Sequence, residues 1–300
     1  WALALAAVAV SAHLGYRLVG PLPHVEDGIA YLYQAKTFLT GGFYQPAPAV
    51  PGGFDARFAW VFMDDAGRSY GIFPPGWPLL LAAGVWLGVP WIINPLLCGL
   101  AVLLLWRLLR AIDGPAVAAA SCLLLLTSPF FLLQGASFLS HPATLLWILV
   151  ALNGALGVET TGSRPAVVPA LLLGLGVGLT LATRYVEGLL LGLVLGSYLL
   201  AAVARRRVVL AALPLALLGL APGLSLALVD NAVKTGSPWV TPVERWYTVE
   251  HGAPLNRPGF GPRVGLEWDH SLGPGHSLFE GLWTTLCSRA SGTPTTTSSN

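Results

Sequence analysis

Glu26 and Asp27 stand side by side where an apolar opening segment gives way to a helical pattern that ends in Gly41 and Gly42. Carboxylates at a bilayer surface are costly unless they are solvated or put to use, so an ionisable pair in such a place is a candidate functional site. At the start of a helix, the free backbone N–H groups and the helix dipole would keep Asp27 ionised, able to accept a proton or bind a cation. The plainer alternative is that Asp27 or its neighbour simply caps the helix. Tyr31 and Tyr33 follow within the same stretch and place an aromatic cluster beside the acids.

A second acidic pair, Asp64 and Asp65, lies in the sequence Asp-Asp-Ala-Gly, which supplies turn geometry cheaply and reads first as a turn, with substrate contact left open. His141, in Ser-Phe-Leu-Ser-His-Pro, could bind phosphate or a metal through its imidazole, although a lone histidine is more often a hydrogen-bonded structural group. Arg184 and Glu187 share the motif Thr-Arg-Tyr-Val-Glu-Gly between two apolar runs. They read either as a mutual ion pair or as a guanidinium set out for a lipid phosphate or pyrophosphate, whose oxygens its paired donors match. Lys234, Arg245 and His251 offer related chemistry from the last polar segment.

The elements that must hold these groups are those of a membrane protein. Of the 300 residues, 55% are hydrophobic and 10% charged, against about 25% charged in an ordinary soluble domain. Long windows free of Asp, Glu, Lys and Arg match the length of helix needed to cross a hydrocarbon core. Seven spans are predicted, over residues 1–19, 91–109, 116–131, 143–158, 167–183, 188–203 and 208–229. Arg107, Arg110, Arg164 and the run Arg205, Arg206, Arg207 sit in short breaks between them, with only Asp113 and Glu159 as acidic company, and these breaks should face the cytoplasm. All other carboxylates then lie on the opposite side.

The predicted fold is therefore an all-α, polytopic helical bundle of about seven spans. Residues 20–75 form a first external loop too long to be a mere connection, with an amphipathic surface helix over 27–39. Residues 45–53, rich in Pro and Gly, should be irregular, and 77–88 should form an interfacial or re-entrant helix. The transmembrane module is expected to end at 229, followed by an external segment over 230–287 and a disordered Ser/Thr-rich tail over 288–300. Cys98, Cys122 and Cys287 show neither zinc spacing nor a disulfide framework and read as small apolar residues. No cleavable signal peptide is visible, and the chain opens on Trp1 rather than Met, which leaves its natural start open. Scattered basic residues form no continuous footprint, which excludes a nucleic-acid partner.

The acid pair after the first span, the surface helix, the Pro-Pro-Gly-Trp-Pro junction at 74–78 and the Thr-Arg-Tyr-Val-Glu-Gly hairpin together resemble the GT-C superfamily of integral-membrane glycosyltransferases. Within it, the chain looks most like bacterial relatives of the protein mannosyltransferase and aminoarabinose transferase branch, over residues 1–261. The resemblance implies a seven-span module in the plasma membrane, with surface helices in the first external loop and a catalytic aspartate near that loop's beginning. The matching acid is Asp27, with Glu26 adjacent. It further implies that Asp27 deprotonates an acceptor on the extracytoplasmic side while a polyprenyl-phosphate-linked sugar donor gives up its sugar, with Arg184 and then His141 facing the phosphate. The acceptor would be a lipid, glycan or protein. No cofactor is fixed by the resemblance, and a divalent metal remains possible because metal use varies across the superfamily. A reading from another class, a multi-pass transporter or lipid flippase, would require charged or broken helices near the bilayer midplane. A silent scaffold is a third.

Overall fold

The computed structural model describes residues 1–47, 60–161, 166–205 and 207–251. Contacts divide the chain into a unit spanning Trp1–Trp239 and a second that begins at Val240. Several expectations fall wholly or partly outside the described residues: the irregular stretch 45–53 beyond Ala47, the positions of Arg164 and Arg206, Cys287 and the tail.

Helix α1 (Ala2–Leu14) continues into a π-helical turn at Gly15–Val19. After a short polar passage, α2 (Glu26–Leu39) begins, and three short strands follow, β1 (Gln45–Pro46), β2 (Val61–Met63) and β3 (Arg68–Gly71). Helix α3 (Gly76–Trp86) leads through a 3₁₀ turn at Pro90–Ile92 into α4 (Ile93–Ile112). Then come α5 (Pro115–Leu126), α6 (Pro129–Ala136), α7 (His141–Thr161), α8 (Val167–Thr183), α9 (Tyr185–Ala204) and α10 (Ala212–Thr235). The second unit contributes α11 (Pro242–His251).

Five of these helices are long and apolar enough to cross a membrane, or six if α5 and α6 form one bent span. Their backbone groups are satisfied internally, which is the condition for lying in hydrocarbon, and they mark the chain as a membrane-embedded helical protein. The count falls short of the seven expected spans at two places. Residues 116–131, expected to form one straight crossing, are broken between α5 and α6 by a bend of 63°. The cause is local. Pro129 has no N–H to give the helix and disfavours helical geometry at the residue before it. Ser128 accordingly adopts an extended conformation, and its side chain caps α6 by accepting from the Phe131 amide. The other shortfall is α8, an apolar helix of 17 residues.

Helix α8 packs between α7 and α10. A Cβ at Gly174 would run into the backbone of Ala216, and one at Gly219 into the backbone of Leu171. One turn along, a Cβ at Gly178 would run into the backbone of Leu220, and one at Gly223 into the backbone of Gly178. The α8 and α10 backbones are thus in direct contact, an arrangement that small residues permit and larger ones forbid. A cluster including Ala151, Leu173, Val177, Leu195 and Ala216 surrounds this contact and is buried.

The sheet is a departure from an all-α fold. Its order is β1-β3-β2, antiparallel throughout, with Phe62 opposite Tyr70 and Gln45 opposite Ser69. The turn expected at Asp65 joins β2 to β3, and Gly67 supplies its left-handed residue at φ 70°. Helix α2 packs against α3 and β3 through Ala30, Tyr31, Gln34 and Ala35, leaving Glu26, Ile29, Lys36 and Leu39 exposed.

Candidate functional site

The segment between α6 and α7, residues 137–140, is the hub on which the site is assembled. The Asn94 side-chain amide donates to the carbonyls of Ser137 and Leu139 at 2.7 and 2.8 Å, fixing the start of α4 to it. The Trp77 indole N–H donates to the Phe138 carbonyl at 2.8 Å, fixing the start of α3. On the α2 side, a Cβ at Gly28 would lie 3.2 Å from Cβ of Phe138 and 3.0 Å from Cβ of Pro23, so only a glycine lets α2 come this close unchanged. Tyr31, buried, brings its hydroxyl within 3.4 Å of the Ser140 hydroxyl. Burial pushes the Tyr31 phenol up to about 12, which keeps it neutral at physiological pH.

His141 follows directly as the first residue of α7. Its Nδ1 is buried and has no hydrogen-bond partner among the described residues, and its ring meets Phe130 edge-on with centroids 6.3 Å apart. Arg184 arrives from the other side. It is the single residue between α8 and α9, extended at φ −151° and ψ 109°, with its amide donating to the Thr180 carbonyl at 2.7 Å. A Cβ at Gly76 would meet Thr183 Oγ1 at 2.7 Å, so the start of α3 abuts the end of α8 where Arg184 leaves it.

Asp27 sits in the first turn of α2, half-buried, and shares electrostatic interactions with Arg184 and His141. It is not the cap of its helix. Val25 occupies that position, and no side chain caps α2. The Trp60 side chain, whose only polar donor is its indole N–H, hydrogen-bonds the Asp27 carboxylate. Trp60 stands at φ 54°, an uncommon conformation for a non-glycine residue. Burial, and then the neighbouring Glu26, raise the Asp27 carboxyl above its ordinary value; Arg184, His141 and the Trp60 hydrogen bond offset only part of this. Glu187 pairs with Arg184 and reaches the same cluster, sharing interactions with both Tyr31 and His141. Four stretches distant in sequence, at 26–31, 60, 140–141 and 184–187, therefore meet in one place.

Two other candidates, Lys234 and Asp64, are committed to ion pairs of their own. Lys234, expected to be external and available to phosphate, is 0% exposed, as is its partner Asp230. Its ammonium lies 2.8 Å from an Asp230 oxygen and donates to the Gly71 carbonyl at 3.1 Å. Its charge is spent inside the protein, because α10 continues to Thr235, six residues past the boundary expected at 229, and carries both residues one turn apart. Asp64 is equally committed: its side chain is 2% exposed, pairs with Arg68 at 2.6 Å and accepts from the amides of Ala66 and Arg68. Asp65 is exposed at the turn. Glu26 is exposed beside Asp27. Arg245 belongs to the second unit.

Arg68 donates in turn to the carbonyls of Val233 and Lys234, so that the β2–β3 hairpin caps the end of α10. Among the described residues no three His, Cys, Asp or Glu side chains gather closely enough to hold a metal ion. Cys98 and Cys122 are buried free thiols, as expected of small apolar residues. At the opposite helix ends, the Tyr198 hydroxyl donates to Glu159 at 2.5 Å and Arg207 lies 3.9 Å from the same carboxylate.

No protein-family model, curated protein or solved structure matches this chain.

Proposed function

We propose that the protein is a membrane glycosyltransferase of the GT-C type that moves a sugar from a polyprenyl-phosphate donor to an acceptor on the extracytoplasmic side. The observation that carries this reading is the meeting of one carboxylate, one imidazole and one guanidinium from remote stretches of an otherwise charge-poor chain, Asp27, His141 and Arg184. Acid–base and phosphate-binding groups are the two functions such a transfer needs together. The seven-span count would be completed by the bent α5–α6 pair and by α8.

In the proposed reaction Asp27 takes the proton of an acceptor hydroxyl or amine as its lone pair forms the new bond to the anomeric carbon. The bond from that carbon to the phosphate oxygen breaks, and its electron pair leaves on polyprenyl phosphate. Arg184 faces the charge that grows on this leaving group, the point at which a fixed cation lowers a barrier most. His141, with Nδ1 unengaged, lies beside the same phosphate. The elevated carboxyl of Asp27 suits it to act as base, since a catalytic base works best with a pKa drawn toward the working pH. Among the described residues, the broken α5–α6 pair is the one feature that a transporter would share, but it carries no formal charge, and the ionisable groups of the proposed site lie at helix ends instead.

The test is release of free polyprenyl phosphate by the protein in vesicles, supplied in turn with polyprenyl-phosphate hexose and pentose donors. Asp27→Asn should insert normally and lose transfer by roughly 10²- to 10⁴-fold, the usual range for a general base. Full activity in that variant removes Asp27 from the mechanism.

A further inference from the structure

The Arg184–Glu187 pair does more than neutralise charge. Glu187 lies in the first turn of α9, where an acid could reach back to the backbone N–H of the N-cap residue just before the helix. That residue is Arg184, and its amide is already donated to Thr180. The Glu187 carboxylate instead accepts from the Arg184 side chain, and it does so at one edge only, through Nε. The two terminal amino groups of the guanidinium are engaged by no described residue. Both side chains are about one third exposed, at 34% and 37%, and both share electrostatic interactions with Tyr31 and His141.

A guanidinium has a rigid fork of donors, and binding one edge fixes the direction of the other. Arg184 is itself fixed at its backbone, since one residue joins α8 to α9 and no loop intervenes.

We infer that Glu187 is a positioning residue: it holds the Nε edge of Arg184 so that the two terminal amino groups are presented to a phosphate monoanion or dianion on a lipid. The inference rests on the proposed assignment of Arg184 to the donor phosphate and deepens it. It makes Glu187 an acid that helps an anion to bind, the reverse of what its charge alone would do.

Equilibrium binding of polyprenyl phosphate, the common product, to the protein in vesicles tests this without requiring turnover. Arg184→Ala should weaken binding roughly 10- to 100-fold, as loss of a charge-assisted hydrogen bond does. Glu187→Ala should weaken it roughly 5- to 10-fold. The double variant should bind no worse than Arg184→Ala, because Glu187 acts only through Arg184. Glu187→Gln, which keeps an oxygen for Nε but drops the charge, should restore binding to at least the wild-type level. Tighter binding in Glu187→Ala, or additive losses in the double variant, overturns the inference, since the acid would then act as a simple repelling charge or independently. Wild-type protein that fails to bind polyprenyl phosphate overturns it together with the phosphate role of Arg184. Binding that behaves as stated in a protein that transfers no sugar leaves the inference standing and rejects the glycosyltransferase reading.

Discussion

Asp27 is the residue on which pH should act first. In the proposed reaction the base form is the working one, and its carboxyl is raised above the ordinary carboxylate range, so transfer should fall on acidification at a higher pH than an unperturbed aspartate would give. Arg184→Ala and Trp60→Phe each remove an influence that lowers this pKa, and each should move the acid limb of the rate–pH curve further up. A limb that stays in place in both variants would mean that another group titrates. The same shift has a stability consequence. A folded-state pKa above the unfolded one means that the proton binds the folded form more tightly; that stabilisation is complete below the unfolded value and gone once pH rises through the folded one. At neutral pH the ionised side chain therefore costs stability, and Asp27→Asn should melt at or above the wild-type temperature while losing activity. Asp27, His141 and Arg184 were legible because each is an ionisable residue in charge-poor surroundings. Trp60 was not, since nothing in its sequence neighbourhood marks an indole that will reach a carboxylate. Lys234 was misread although its partner Asp230 stands four residues earlier, because the polar composition from 230 onward suggested an exposed segment where the helix in fact continues.

Among the elements, the end of α10 and the β2–β3 hairpin stand or fall together. Asp230→Ala leaves the buried Lys234 ammonium with no anionic partner, facing the Gly71 carbonyl and the Tyr70 ring, and removing one partner of a buried pair typically costs about 3 to 5 kcal/mol. Adding Lys234→Met should recover most of that loss, measured as thermal stability in detergent; no recovery would show that the ammonium has a second structural duty. For the hairpin, burial works to raise the Asp64 carboxyl, but hydrogen bonds from Arg68 and Ala66 overcome it and hold the group below its ordinary value. Its stabilisation is thus present at neutral pH and is lost only as pH falls through that depressed value. Gly76→Ala should destabilise by about 1 to 3 kcal/mol, since its Cβ would meet Thr183 Oγ1 at 2.7 Å and the Ala182 backbone at 2.8 Å. The same variant should lower activity more than stability explains, because the intrusion falls next to Arg184. The helices were readable from charge-free length. The bend at Ser128 had its signal in Pro129, which lies within what read as one apolar run. Strands of two to four residues are too short for a period-two pattern to declare itself, so the sheet had no signature beyond its Asp-Asp-Ala-Gly turn.

At the scale of the whole molecule, the site groups collect at one set of helix ends and Glu159 with Arg207 at the other. A topology reporter placed at the Asp65 turn should read external, and one placed beside Arg205 should read cytoplasmic, in keeping with the bias of basic residues toward that side. The opposite result would put the cluster on the wrong face for a surface acceptor. The contact of α8 with α10 bears on the chain's freedom to vary. Where two main chains touch, selection has no room to substitute: positions 174, 178, 219 and 223 should tolerate nothing larger than hydrogen, whereas the outward leucines of α9, such as Leu189 and Leu193, should exchange freely with other apolar residues. A saturation library scored only for survival of the folded protein would then draw this seam as four blank columns, without reference to any catalytic assay.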